Sequence, residues 1–234
     1  LIYQLREALK EMNIDIKKTK AAIEGFGNVA QYAAELFIEY GGTVVMVSCW
    51  DQKDGKAYSY YKEDGIDLNE LRNITDRFGT IDKTKAEKAG YKRLDGKEWL
   101  NHEVDILVPA ALENSITKDN VNKVKPSVKL IVCGANGPIT PEAEDILTKK
   151  EIIVIPDFLA NAGGVVCSYF EQVQSNQNYY WTKEEVLGKL DNKMTSAFYK
   201  VWELAQKKKL RISDAAYMIA IQRVAEACKL RGWI

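Results

Sequence analysis

Lys20-Ala21-Ala22-Ile23-Glu24-Gly25-Phe26-Gly27-Asn28-Val29-Ala30 is the stretch that decides the fold. An apolar run ends in Gly25, a glycine-rich turn follows, and the spacing predicts a helix from Asn28 to Tyr40. The pattern is Gly-x-Gly-x-x-Ala, read from strand into helix. Gly25 permits the tight turn, Gly27 lets a pyrophosphate approach the backbone, and Ala30 lets helix and strand pack closely. The start of the helix offers unpaired N–H groups and a positive dipole end to phosphates. An ordinary turn before a helix would show the same small residues. The context on both sides favours a dinucleotide cradle, because Gly41-Gly42 leads into a second apolar strand, Thr43-Val44-Val45-Met46-Val47-Ser48.

That strand runs out at Cys49-Trp50-Asp51. In a dinucleotide fold this strand end meets the adenosine ribose, and an acid about 20 positions after the glycines accepts from the ribose hydroxyls. Cys49 stands near that place, the acid arrives as Asp51, and Lys53 lies just beyond, able to pair a phosphate. The signal is mixed, with Asp51 favouring NAD over NADP.

Composition narrows the remaining classes. The chain has 234 residues, 46% of them hydrophobic, enough for a packed core. Lys plus Arg equals Asp plus Glu at 33 each, and no basic stripe with interleaved aromatics argues for nucleic acid. No apolar run approaches the roughly 18 residues of a membrane helix. The opening Leu1-Ile2-Tyr3-Gln4-Leu5-Arg6 is not a signal peptide and has no initiator Met, which suits a piece of a longer protein. Cys49, Cys133, Cys167 and Cys228 form no Cys-x-x-Cys pair and read as reduced, mostly buried thiols of a cytoplasmic protein. The single histidine, His102, reads as a surface residue, and no metal site is expected.

Leu1 to Met12 reads as an amphipathic helix with Leu1, Leu5, Ala8, Leu9 and Met12 on one face. In the helix after the glycines, Val29, Ala33, Leu36, Phe37 and Tyr40 recur at core spacing. Residues 51–102 are polar and punctuated by glycine, with a short edge strand expected at Ala57–Tyr61 and a helix at Leu68–Phe78. Lys83–Lys88 reads as a solvated charged run. Strands are then expected at Val104–Ala111, Val128–Cys133 and Glu151–Pro156, with helices at Asn120–Val124 and after the Thr140-Pro141 cap. Gly163-Gly164 opens a further helix, where close packing or a close ligand would explain the glycines. Lys183–Lys208, opened by Thr182, and Asp214–Arg231 complete the chain as helices, with Ala197, Val201, Leu204 and Ala205 a core stripe. Alternating strands and helices with near-continuous apolar strands predict an α/β fold. It is a doubly wound, mostly parallel Rossmann-type sheet with helices on both faces and a helical C-terminal segment.

Five ordered motifs now carry a resemblance: Gly25–Ala30, Val108-Pro109-Ala110-Ala111-Leu112-Glu113, Ala135–Ala143, Pro156–Val165 and Ser168-Tyr169-Phe170-Glu171. Together with Asp214-Ala215-Ala216-Tyr217 and the ending Leu230–Ile234, they resemble the C-terminal cofactor domain of hexameric glutamate dehydrogenases of bacteria and archaea. The resemblance implies oxidative deamination of L-glutamate to 2-oxoglutarate and ammonia, with hydride passing to NAD, or to NADP as the alternative. It implies that Gly25, Phe26, Gly27, Asn28 and Val29 hold the pyrophosphate, with Cys49 and Asp51 at the ribose. Ala110 and Ala111 line the adenosine side, and Asn136 and Asn161 bond the nicotinamide half. Val165 and Ser168 touch the substrate, the Ser168 hydroxyl donating to its side-chain carboxylate. The family usually carries an acid where Cys49 stands, Glu where Cys133 stands, Trp where Gln172 stands and Gly where Ala30 stands.

In that family a separate N-terminal domain carries the catalytic Lys and Asp, and no lysine here sits in a matching motif. Residues 1–234 are therefore expected to form one dinucleotide-binding domain, with a linking helix at 1–13 and C-terminal helices at 183–231. It is expected to hold no catalytic residue and to turn over little or nothing alone, meeting L-glutamate and 2-oxoglutarate through the other domain. The full-length family is a homo-hexamer, and a monomer is open to this piece. Two alternatives stand: a non-catalytic dinucleotide-binding module, and the cofactor domain of a branched-chain or aromatic amino-acid dehydrogenase.

Overall fold

The computed structural model describes residues 1–233. One seven-stranded sheet runs β4-β3-β2-β1-β5-β6-β7. Its parallel part is β2 (Thr43–Asp51), β1 (Lys20–Glu24), β5 (Ile106–Pro109), β6 (Leu130–Val132) and β7 (Ile153–Ile155). The apolar runs read from sequence are these strands, trimmed where the chain leaves the sheet. Both faces are covered, as parallel strands require. Ala21, Ile23, Val47, Val108 and Val132 pack on the side of α1 (Ile2–Glu11), α2 (Asn28–Glu39) and α8 (Lys183–Lys208). Ala22, Leu107, Ile131 and Val154 pack on the side of α5 (Pro141–Lys149) and two short 3-10 turns. The register shifts between Ala21 and Ala22, and opposite it Val45 and Met46 both enter the second cluster.

The polar region contributes more sheet than its composition suggests. β3 (Lys56–Tyr61) pairs antiparallel with β2, and β4 (Lys92–Asp95) pairs antiparallel with β3, so β3 is not an edge. The true edge, Lys-Arg-Leu-Asp, is mostly exposed, and charge on an edge strand guards it against further pairing. The helix expected over Leu68–Phe78 stops as α3 (Leu68–Asn73). Beyond it Asp76 accepts from the Phe78 and Thr80 N–H groups, and Gly79 takes φ +85°, closing a loop instead of another helical turn. Asp82 caps the charged run, which is helix α4 (Lys83–Lys88) with Ala86 buried beneath it. The segment expected as a helix at Asn120–Val124 is a 3-10 turn over Val121–Lys123.

After α6 (Asp157–Ala160) and α7 (Gly163–Gln177), α8 has the predicted bounds because Thr182 and Glu185 form a reciprocal capping box. α9 (Ile212–Leu230) begins two residues earlier than expected. The stripe on α8 is core at Val201 and Ala205, with Ala197 and Leu204 half-buried against it. On α2, Ala30, Ala33, Ala34 and Phe37 are buried while Val29 and Leu36 are exposed, so the buried face is rotated from the expected one toward the small residues. The small residues let the helix lie close to the sheet. Among the described residues no helix is long and apolar enough to cross a membrane.

Candidate functional site

The carboxyl ends of β1, β5, β6 and β7 meet at one edge of the sheet, where ligands of open α/β sheets lie. Gly25 takes φ +97°, and its N–H donates to the buried Ser48 Oγ at 3.0 Å. A Cβ on Gly25 would sit 3.1 Å from the Ala110 oxygen and 3.2 Å from the Ala111 Cβ. This glycine serves the close approach of the β5 end to the turn. Gly27 is different: φ is −78°, and a Cβ there would meet nothing within 4 Å. Gly27 caps α2 without a side-chain hydrogen bond, so the first N–H groups of a twelve-residue helix face open space.

The neighbouring strand ends close in around that opening. Gly134 follows β6, and a Cβ on it would lie 2.9 Å from the Ala110 Cβ and 3.3 Å from Val29 Cγ1. Asn161 Nδ2 donates to Asn136 Oδ1 at 2.7 Å, and the Gly137 N–H donates to Asp157 Oδ2 at 2.9 Å. The structure thus brings Gly25, Gly27, Asn28, Val29, Ala110, Ala111, Asn136 and Asn161 to one edge. Phe26 belongs there through its backbone alone, since its ring is buried and its carbonyl accepts from Gln31 Nε2. Val165, 76% exposed, and Ser168, also exposed, lie on one face of α7. Neither Gly163 nor Gly164 is demanded by packing, since a Cβ would meet ordinary contacts at the first and none at the second.

Cys49 and Asp51 sit differently from the rest. The Cys49 thiol is buried and donates to the Gly79 oxygen at 2.9 Å, and burial pushes it up to about 11. Asp51 is also buried. It accepts from the Lys53 N–H at 2.8 Å and ion-pairs with Lys83 Nζ at 2.7 Å, which holds its carboxyl below the usual range. Both side chains are engaged within the β2–β3 corner and the 75–81 loop that covers it.

Four groups escaped sequence reasoning: Glu24, Ser48, Gly134 and Ser115. Glu24 had a signal, a lone acid closing an apolar strand. The others lie near the glycines only through the fold. His102 is half-buried rather than a surface residue, its ring 4.4 Å from that of Tyr61, and burial lowers its pKa. All four cysteines are free. Cys49 and Cys133 are buried, while Cys167 and Cys228 are only half-buried. Among the described residues no cluster of three His, Cys, Asp or Glu side chains could hold a metal.

The family model described as Glutamate/Leucine/Phenylalanine/Valine dehydrogenase matches residues 1–232. The chain belongs to this dehydrogenase family. It is 42% identical over 228 residues to the NAD-specific glutamate dehydrogenase of Clostridioides difficile, covering 97% of this chain and 52% of that protein. It is 41% identical over 234 residues to the enzyme of the same name from Staphylococcus aureus strain COL, covering all of this chain and 53% of that protein. Among solved structures, glutamate dehydrogenase from Peptoniphilus asaccharolyticus superposes with TM-score 0.81 at 35% identity, over 99% of this chain and 52% of that one. Plasmodium falciparum glutamate dehydrogenase gives TM-score 0.88 at 26% identity, over 98% and 50%. This family member spans about half the length of the curated relatives it matches.

Proposed function

We propose that residues 1–234 form the cofactor-binding domain of an NAD-linked glutamate dehydrogenase, with a linking helix at 1–13 and C-terminal helices at 183–231. The observation that carries this is the glycine turn at the carboxyl end of central β1, opening α2 into free space at Gly27. The residues fit a dinucleotide. The turn leaves room for a pyrophosphate, and the α2 N-terminus offers donors and a positive dipole end to it. The relatives' names support NAD and glutamate. When bound, the nicotinamide supplies the hydride acceptor.

This chain's residues then bind and orient. Asn28 and Val29 N–H groups face the pyrophosphate, and Ala110 and Ala111 wall the adenosine side. Asn136 and Asn161, already bonded to each other, fix the nicotinamide carboxamide, and Ser168 donates to the substrate's distal carboxylate beside Val165. Water activation and proton shuttling fall to the half of the relatives' length that this chain does not span, so turnover by the chain alone is expected to be slight. The exposed apolar side chains Val165 and Tyr169 on α7, and Tyr217, Ile221 and Val224 on α9, suit contact with that half. Four free thiols suit a reducing cytoplasm. An NADP reading has one observation in its favour: Cys49 is uncharged and Asp51 is neutralised by Lys83, which weakens repulsion of a 2′-phosphate.

The test is a titration of the chain with NADH and NADPH, read as energy transfer from tryptophan, with Trp50 exposed at the end of β2. Saturable binding that Gly27→Val abolishes is expected, with NADH preferred. Absence of saturation by either nucleotide up to millimolar concentration would overturn the assignment.

A further inference from the structure

Glu24 closes β1 directly before Gly25, and the mechanism above gives it no role. Its backbone oxygen accepts from the Ala110 N–H at 3.1 Å. Its carboxyl oxygen Oε2 lies 2.7 Å from Ser115 Oγ. The same Ser115 Oγ lies 2.7 Å from the Leu112 carbonyl oxygen. A serine hydroxyl has one proton to give, and both of these neighbours are acceptors when Glu24 is ionised. For both short contacts to be full two-centre hydrogen bonds, rather than one proton shared between two acceptors, Glu24 itself must carry a proton. The carboxylic acid then donates to Ser115 Oγ, and Ser115 donates to the Leu112 oxygen.

The segment held in this way joins the two halves of the cofactor edge. Ala110 and Ala111 press on Gly25, while farther along the Asn114 N–H donates to the Gly137 oxygen at 2.8 Å, next to Asn136. The Asn120 side chain holds the Ser115 oxygen from behind, so the hydroxyl is presented to Glu24 from a fixed turn. We infer that Glu24 is a neutral carboxylic acid whose proton positions the Ala110–Ser115 segment, and through it the dinucleotide cleft, for binding. The inference rests on the dinucleotide reading of that cleft.

The surroundings agree with a neutral acid. β5 brings no titratable side chain to Glu24. β2 brings Cys49, neutral and buried, and Asp51, already paired with Lys83. The loop brings Glu113, exposed, with Lys118 and Asp119 exposed farther along, and Lys20 stands at the opposite end of β1. Burial without a cation pushes the Glu24 carboxyl up to about 7, and the only opposing pull is on the ionised form, which would accept from the Ser115 hydroxyl and the Ala111 N–H. Ionisation takes the Ser115 proton from Leu112 and loosens the segment.

NADH affinity is measured for the chain from pH 6 to pH 8.5, in parallel with Glu24→Gln and Ser115→Ala. The neutral amide of Glu24→Gln can donate to Ser115 at every pH. If only the protonated form binds tightly, wild-type affinity falls by up to about thirty-fold over this range. Glu24→Gln is expected to keep the low-pH affinity throughout, and Ser115→Ala to bind weakly at low pH and lose most of the pH dependence. Parallel profiles for wild type and Glu24→Gln, or a flat wild-type profile, would overturn the inference. Absence of NADH binding at any pH in all three proteins would instead count against the dinucleotide reading. Ligand-free urea unfolding of wild type and Glu24→Gln then decides the state of Glu24: a gap that widens with pH upholds the half-buried acid as protonated, and a constant gap overturns it.

Discussion

Gly25 and Gly27 stand two positions apart in one motif and answer to different constraints. The positive φ of Gly25 and the 3.1 Å approach of the Ala110 oxygen leave no room for a methyl group, so its constraint lies in the fold. Gly27 has an ordinary φ and an open surround, so its constraint lies in whatever comes to the helix start. Gly25→Ala is therefore expected to destabilise the chain by about 1–3 kcal/mol, the usual cost of a side chain in a strained backbone position. Gly27→Ala is expected to leave stability within about 0.5 kcal/mol and to weaken NADH binding at least several-fold. Urea midpoints and a nucleotide titration of the two variants separate the cases, and equal loss of stability in both would contradict the assignment. The turn was legible in sequence because glycine reports backbone freedom locally. Glu24 was visible as a lone acid closing an apolar strand, but its pairing was not, because its partner Ser115 lies 91 positions away and only the β1–β5 pairing brings them together. Asp51 was legible as an acid at the end of the second strand, but its burial against Lys83 depends on where α4 packs.

Elements declared by their own caps were read closely, and elements made by partners were not. α8 carries its start signal in Thr182 and Glu185, and α5 in Thr140 and Pro141. β4 has no comparable signal: its four residues hold one half-buried apolar side chain, and the strand exists because β3 offers it a ladder. The same distinction governs α1. Its apolar face was legible, but its attachment to α8 runs through Arg6, which grips both Asp191 oxygens at 2.8 and 2.7 Å and also reaches Thr195. The buried Gln4 adds a bond from its amide to the Met194 oxygen. Bidentate geometry strengthens the Arg6–Asp191 pair, while the partial exposure of both side chains screens it. A double-mutant cycle with Arg6→Met and Asp191→Asn is expected to give a coupling of about 1 kcal/mol by urea unfolding. A coupling near zero would leave α1 held to α8 by its apolar face, by Gln4 and by the hydrogen bond that the Tyr199 hydroxyl donates to Glu7 Oε2 at 2.6 Å.

At the scale of the whole molecule, equal numbers of acids and bases leave the net charge near zero, so pH acts through individual buried and half-buried groups rather than through overall repulsion. These groups pull in opposite directions. Glu7, Asp51 and Asp191 are held below their ordinary range by hydrogen-bonded or ionic partners. Their contribution is present above the unfolded carboxylate range and is lost as pH falls through it. His102 is favoured neutral by burial, so its contribution also falls as pH drops below about 6.5. Glu24 has the reverse sign. Its folded pKa of about 7 lies above the ordinary 4.5, so the native state holds a proton that the unfolded chain gives up between those values. The stability it contributes is complete below pH 4.5 and is lost as pH rises toward 7. That span corresponds to roughly 3 kcal/mol, a large part of the 5–15 kcal/mol that holds a typical domain together. Glu24→Gln removes this single titration and leaves the histidine and the paired carboxylates in place, so their slopes cancel in the comparison. The two proteins are expected to differ little from one another at pH 4.5. The variant should then gain on wild type until, by pH 8, it is the more stable by about 3 kcal/mol relative to its starting gap. Urea midpoints at half-unit steps of pH check this directly. A gap that stayed constant from pH 4.5 to pH 8 would mean that Glu24 ionises at its ordinary value and that the Ser115 contact needs no proton from it.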